Sequence, residues 1–578
     1  MLRYLLFFMF ARTIVFSQEN KVYSACGGSM GSAMFDANNI STRVYAAGDL
    51  HWNIFTNGTA AYEFPKGSGK TLCNASHIWI GGLDGFGNLH VAAQTYRQSG
   101  NDFWSGPVST VGAWSDYNTC QKYDRVWKLN VSDINNFVQN YNNGNVQNGS
   151  YTIPNEILTW PVIDTPDQNF RTNAQFVDVN HNGKYDPRNE GDYPLIKGDQ
   201  SLFHIFNDYG GLHQASGSTG IGLQINRTVY GYNCASVTQQ YPELANTTFY
   251  HYKVYNRGEN SLQQVYLAAW SDGDIGTKTD DFVGGNPQLG YGFVYNGTNT
   301  DAVYGDKIPA IGTLILKAPL APLSDGIDND NDTIVDEIGE QVLTPRVMYY
   351  NHYEPIWGNN GPMSDPENGY QYYVYMKGIW KDGTPVTCGG TGYGGTVTAQ
   401  SVFTGSNAIN SNCNAGWTEK SVNNTPGNRC LLVSVGPFNI NAGDSLEFEY
   451  AMIASIDTLI SSDNIASTIQ LEKDVKRIKQ FYRTTNQSAC FLEVGINDNY
   501  LDKNIFISPN PVESILTVKS NLFKEYSVSI VDLLGRVVYK SESDQITHSC
   551  DLSSLHGGIY LVNVSIDNKI ITKKIVKQ

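Results

Sequence analysis

Two runs of β-branched and aromatic residues, 248–255 and 264–270, flank Asn256, Arg257 and Gly258, and this pattern limits the fold more than any other feature. The first run reads Thr-Phe-Tyr-His-Tyr-Lys-Val-Tyr and the second Gln-Val-Tyr-Leu-Ala-Ala-Trp. Such side chains suit a pleated surface, while Asn and Gly supply turn conformations, so the pair reads as a hairpin. Similar runs occur at 221–232, 291–295, 370–380 and 446–454. Short strands at this spacing, with little helical periodicity between them, predict a mainly β, multi-domain sandwich body. Composition agrees: 36 Tyr and 56 Gly accompany only 16% charged residues, against roughly 25% in typical soluble domains.

One stretch breaks the pattern. Between 463 and 482 apolar residues recur at 465, 469, 471, 475, 478 and 482, and Asp463 can cap the first turn. That spacing predicts one amphipathic helix closing the body. The polar segment 486–503 after it reads as a linker, and short strands resume from 505.

The N-terminus carries Arg3, eight apolar residues at 4–11 and a small-residue cleavage pattern at Val15 and Ser17, so 1–17 reads as a signal peptide. No later stretch reaches the ~18 apolar residues of a transmembrane span. Net charge is −16, from 39 Lys+Arg and 55 Asp+Glu, which argues against nucleic acid as a partner. The charge is local: residues 504–578 carry 8 basic and 7 acidic groups, and Arg3 and Arg12 add two, leaving −19 on 18–503. The nine cysteines form no C-x-x-C pair, which argues against zinc ribbons and redox dithiols; in an exported chain some are expected to pair, for instance among 388, 413 and 430.

The tail carries four motifs in order: Ser508, Pro509, Asn510, Pro511; the turn at 531–536 with Gly535; Gly558, Ile559, Tyr560, Leu561, Val562; and Lys573, Lys574, Ile575, Val576. The two prolines stiffen the start of the segment, and the glycines free its backbone at turns. In order and spacing this tail resembles the type A C-terminal sorting domain of the type IX secretion system in Bacteroidetes. The resemblance implies a small Ig-like β-sandwich at 504–578, read by the outer-membrane translocon, with Pro509, Asn510, Pro511, Gly535, Gly558, Tyr560, Lys573 and Lys574 as the sorting signal. It implies a passenger that is secreted or held at the cell surface. An ordinary Ig-like adhesion domain is the alternative. The body, through segments such as 60–70, 92–96 and 191–194, is similar to large secreted Bacteroidetes proteins of unassigned activity that carry such tails.

Two acidic segments match calcium-loop spacing, since hard cations take oxygen ligands from alternate loop positions. In the first, which resembles EF-hand or dockerin loops, Asp178, Asn180 and Asn182 fill positions one, three and five, with Gly183 at six. Lys184 would offer its carbonyl, Tyr185 takes the buried eighth position, Asp186 the ninth, and Asn189 stands where a bidentate Glu is usual. In the second, similar to thrombospondin type 3 repeats, Asp328, Asp330, Asp332 and Asp336 take positions one, three, five and nine, and Val335 is the apolar eighth. Both are expected to bind Ca2+; the alternative is an Asx-rich turn for the first and a loop extended in water for the second. A third cluster, Asp272, Asp274, Asp280 and Asp281, reads either as a strand-end turn or as a metal site or carboxylate pair.

Catalytic signatures fail. Gly27, Ser29 and Gly31 match a nucleophile-elbow pattern without the strand-turn-helix it needs. Gly390, Gly392 and Gly395 match a dinucleotide pattern, but 396–403 reads as a strand rather than a helix. The resulting layout is a signal at 1–17, a β-rich body at 18–345 with both calcium loops, a second sandwich-like region at 346–456, a helix at 457–485, a linker at 486–503 and the tail at 504–578. The expected role is binding or adhesion, with a glycan or surface ligand as partner. The alternative is a secreted carboxylate-dependent hydrolase acting on polysaccharide.

Overall fold

A computed structural model describes residues 26–484 and 505–578, apart from 55–61, 163–169, 323, 331–333, 338, 353–360, 406–412, 414–415, 521–525, 533–535, 544, 546 and 567–568. The expected signal peptide and linker lie outside the described residues. The chain divides into two compact units, Met1–Cys490 and Phe491–Gln578. It is mainly β, and among the described residues no helix is long and apolar enough to cross a membrane.

Two large antiparallel sheets build the body. The nine-stranded one orders Asp281–Asn286, Tyr291–Asn296, Ala310–Lys317, Ser445–Ser455, Thr247–Asn256, Leu223–Gly231, Gln200–Asn207 and Trp104–Ser105, with Trp127–Asn130 also paired to Gln200–Asn207. The five-stranded one orders Arg346–Asn351, Arg429–Ile440, Leu262–Gly273, Ala75–Leu83 and Leu89–Ala93. Apolar side chains from both, including Ile78, Ile80, Val91, Leu202, Phe206 and Tyr250, share one core. That shared core makes the body a sandwich.

The hairpin expected around Asn256, Arg257 and Gly258 is instead an arch. Strand Thr247–Asn256 belongs to the nine-stranded sheet and Leu262–Gly273 to the other, so the turn carries the chain across the core. A second arch joins Arg429–Ile440 to Ser445–Ser455 beside it, and the Asn256 side chain donates to the Asn441 carbonyl at 3.2 Å to tie the two. Glycine is needed at 258, where a Cβ would lie 2.1 Å from the Ile221 carbonyl oxygen. These pairings also cross the boundary expected at 345/346. Strands on either side of it pair along their length, Thr247–Asn256 with Ser445–Ser455 and Leu262–Gly273 with Arg429–Ile440.

The helix Ala466–Thr484 lies on the nine-stranded sheet, burying Leu471, Val475, Ile478 and Phe481 against Phe249, Leu314, Ala451 and Ile453. Ile469, expected on that face, is exposed. The run at 370–380, read as a strand, contains the helix Gly369–Met376, which Asn368 caps by accepting from the Gln371 N–H at 3.2 Å. A further helix, Val131–Asn142, starts with a capping box between Asn130 and Asp133. Segment 396–403 forms no strand. Disulfides join Cys26 to Cys120 and Cys388 to Cys413, and Cys73, Cys430 and Cys550 are buried free thiols.

The C-terminal unit is a seven-stranded sandwich of the Ig-like kind. Ile505–Ser508, Ile515–Ser520 and Thr547–Asp551 form one sheet; Val537–Ser543, Tyr526–Asp532, Gly558–Ile566 and Lys569–Lys577 form the other. Leu516, Val518, Val528, Ile530, Cys550, Val562 and Val564 fill its core, so the thiol of Cys550 serves as packing.

Candidate functional site

In the tail the first and last motifs meet. Asn510 is clamped to the final strand from both sides of its amide: its Nδ2 donates to the Lys574 carbonyl at 3.0 Å, and its Oδ1 accepts from the Val576 N–H at 2.9 Å. Pro509 and Pro511 flank it, and the Val512 N–H donates to the Val576 carbonyl at 2.8 Å. Gly558 starts the strand opposite Lys577, and Tyr560 pairs with Ile575 while its hydroxyl donates to the His556 carbonyl at 3.0 Å. Lys573 and Lys574 lie opposite Val562 and Leu561. Gly535 lies outside the described residues; the Arg536 guanidinium donates to Asp532 at 2.8 Å.

The segment 178–192 is a compact loop closed by the short ribbon Phe176–Val177 with Tyr193–Pro194. Asp178 accepts from the N–H groups of Asn182 at 3.2 Å and Gly183 at 2.7 Å, and Gly183 takes the left-handed conformation, φ 77°. Asn180 accepts from the Asn182 N–H at 3.2 Å, and Asn182 from the Lys184 N–H at 2.8 Å. Asp186 accepts from Arg188 and Asn189, each at 3.0 Å. Glu190, one residue beyond the expected twelfth position, accepts both contacts of the Asn182 amide at 2.9 Å. Tyr185 is half-buried, its hydroxyl donating to the Ile157 carbonyl at 2.6 Å. Asp192 is buried beneath the loop, accepting from Val179 and Asp186.

In the second acidic segment, Asp328, Asp330 and Glu340 bring one carboxylate oxygen each within 4.8 Å of the others. Glu340 was not legible as a ligand from the loop spacing. Burial raises its carboxyl above the ordinary range, and Glu337, Asp330 and Asp325 push the same way against the Asn329 N–H it accepts. Asp336 turns elsewhere, accepting from the Gly326 N–H at 3.1 Å. Val335 is exposed, and Asp332 lies outside the described residues.

The third cluster splits in two. Asp272, fully buried, accepts from the Tyr96 hydroxyl and, at 3.4 Å, from the Asn74 amide, with the Cys430 thiol 3.5 Å away. The Tyr96 ring lies 5.7 Å from that of His352, whose Nδ1 is 2.7 Å from Asp365. His352 and Asp365 are partly exposed, and the imidazole–carboxylate pair stands beside the half-buried Tyr96, whose partner Asp272 is fully buried. Asp274, Asp280 and Asp301 oppose ionisation of Asp281, and Asp274 also acts with Asp272 on Tyr96 and Cys73, so it stands between the two halves. His352, Asp365 and Tyr96 come from distant chain positions with no local motif, so spacing could not reveal them. Ser29, in the failed elbow pattern, donates to Asp124 at 2.5 Å.

No curated protein matches the chain. Among solved structures, a polysaccharide lyase is 8% identical, covering 61% of this chain and 34% of its own, with a TM-score of 0.15. PorZ, a surface component of the type IX secretion system of Porphyromonas gingivalis, is 12% identical, covering 96% of this chain and 53% of its own, with a TM-score of 0.13. The chain thus spans about a third of the first protein and about half of the second, and neither likeness carries an argument. The family match is specific: residues 506–578 fit the secretion system C-terminal sorting domain. The tail is a type IX secretion sorting domain, and it addresses the protein to the cell surface or beyond.

Proposed function

We propose that residues 1–17 direct Sec-type export, that the tail then engages the type IX translocon, and that the body works outside the cell as a calcium-stabilised binding or adhesive protein. The observation that carries the calcium reading is the group Asp328, Asp330 and Glu340, with carboxylate oxygens within 4.8 Å of one another. Like charges at that separation repel unless a cation lies among them, and an all-oxygen set suits calcium. By loop spacing Asp332 would add a further carboxylate, while Asp336 is engaged by the Gly326 N–H and would have to turn from it to join. Asp178, Asn180, Asn182, Asp186 and the Lys184 carbonyl would form the other, with Glu190 rather than Asn189 as its last carboxylate. A glycan or other surface ligand is the partner class for the aromatic-rich body.

A ligand bound only by the native state raises its stability. The mature protein is therefore expected to melt higher in calcium than in chelator, and Glu340→Gln to lose part of that rise. An identical midpoint with and without chelator removes calcium from this reading.

A second reading, a carboxylate-dependent polysaccharide hydrolase, is favoured by the pairing of His352 with Asp365 at 2.7 Å beside Tyr96 and Asp272. General acid–base chemistry needs such partially exposed, oriented groups. Hydrolysis in a polysaccharide screen, lost in Asp365→Asn with the fold intact, would establish it; no product from either protein would leave the binding role.

A further inference from the structure

The four-stranded sheet of the tail has an outer face as well as a core face. Ile530 and Val562, both fully buried, mark the core side. Residues next to them along a strand point the other way. Val531 lies opposite Val537 on one neighbouring strand and Leu561 on the other, and Leu561 lies opposite Lys574. Residues directly opposite project from one face, so these four form a single row across all four strands, turned away from the core. Two residues along, Ile559 lies opposite Val576 and widens the row. Val537 is 60% and Ile559 42% exposed, while Val531, Leu561 and Val576 are half-buried. A polar row on the same face, Lys540, Ser529, Asn563 and Thr572, bounds this aliphatic patch on one side.

Folding of the tail does not call for these side chains. Its core is filled by the alternate residues of the same strands, Val528, Ile530, Val562, Val564, Ile571 and Ile575. An exposed, contiguous apolar patch with a polar rim marks an interaction surface. The patch draws on three of the tail's four motifs: Val531 from 531–536, Ile559 and Leu561 from 558–562, and Lys574 and Val576 from 573–576. The fourth motif holds the last of these strands in place, since Asn510 bonds the Lys574 carbonyl and the Val576 N–H. Motifs separated in sequence thus meet on one face through the strand register.

We propose that this outer face is the surface by which the tail docks on the type IX translocon, against an aliphatic patch of the partner with carboxylates opposite Lys574 and Lys540. The inference rests on the reading that the tail engages that translocon. The occupant follows from the family match, which makes these residues part of a secretion address. Its chemistry follows from the aliphatic row and from the two exposed lysines at its edge, which favour acidic partners and repel basic ones. Asn510 is then a positioning residue, holding the strand that presents Lys574 and Val576.

The test follows the full chain in producing cells by the share that appears outside, with the purified full chain checked for melting and for protease resistance of the tail. Val537→Glu alters a residue outside all four motifs and sets a carboxylate in the row. It is expected to lose export and accumulate inside the outer membrane, with its tail still resistant and its midpoint unchanged. Ile515→Glu, at a position 46% exposed on the other sheet, should be exported like the parent. If Val537→Glu unfolds the tail, Ile559→Ser on the same face serves instead. Normal export of the folded variant, or an equal loss in Ile515→Glu, overturns the proposal while leaving the tail its role as an address. Export of a chain truncated before 505 removes that role itself. A variant that exports normally but melts lower, or that turns a dimer into a monomer, assigns the face to the body or to a second copy and overturns the proposal as well.

Discussion

Four buried imidazoles divide into two classes by what surrounds them. His51, His77 and His204 are sealed in the core near Arg227, itself buried with its guanidinium donating to the carbonyls of Gly48 at 2.6 Å and Asp49 at 3.3 Å. Burial, aided by Arg227, drives His51 down to about 3. Burial also lowers His77 to about 4, despite the opposing Asp49, and His204 well below 6.5. His213 faces the same burial, but Asp102 at 3.3 Å and then Asp208 outweigh it and raise the imidazole to about 9. The signs follow from linkage. Below 6.5 the unfolded chain protonates the first three while the native core does not, so stability falls with acid by about 1.4 kcal/mol per pH unit for each. His213 works oppositely: its contribution is full below 6.5 and is lost as pH rises through about 9. Denaturant midpoints across pH should therefore fall on both sides, and His213→Gln should flatten the limb between 6.5 and 9. An unchanged alkaline limb in that variant would contradict the assignment. None of this was legible in the sequence, because the ten histidines show no spacing that marks which are buried or beside which carboxylates.

At the scale of elements, strands were read well where one physical signal sufficed. The runs at 291–295 and 446–454 lie within the strands Tyr291–Asn296 and Ser445–Ser455, because β-branched and aromatic side chains have few other places to pack. Partners were not legible. A strand, an Asn/Gly turn and a strand describe a hairpin and an arch equally, and only the shared core decides that Asn256, Arg257 and Gly258 cross between sheets. The helix Gly369–Met376 was misread for a related reason: Tyr372, Tyr373, Val374, Tyr375 and Met376 are all buried against the five-stranded sheet, so it shows no polar face and no 3.6-residue period. Helix Ala466–Thr484 kept that period, since one face meets solvent. Its core side chains carry the stability. Phe481, 1% exposed against Tyr232 and Tyr241, should cost about 3–5 kcal/mol on change to alanine, whereas Ile469→Ala, on the exposed face, should be near neutral. Equal losses in urea unfolding would mean that the helix packs by a different face.

For the whole molecule, the division read from charge, a −19 body beside a near-neutral tail, coincides with a division of cores. Among the described residues, the body clusters draw on residues up to 482 and the tail cluster on residues from 505 onward. A tail with its own core suits a role as an address read by secretion machinery. The tail was the most legible part of the chain because its motifs are local and ordered. Asn510 beside its prolines and the final Lys-Lys-Ile-Val strand are 60-odd residues apart, yet they close on each other through a single side chain. The body's candidate residues were less legible because Glu340 and His352 meet their neighbours only through folding. Truncation before 505 should separate the two roles. The shortened protein is expected to keep the body's melting midpoint, since no body core residue is removed, and to accumulate inside the outer membrane instead of appearing outside the cell. Cell fractionation and a melting scan on the same sample read both outcomes. Export without the tail would sink its role as the address, and a lowered body midpoint would show that the two cores are thermodynamically one.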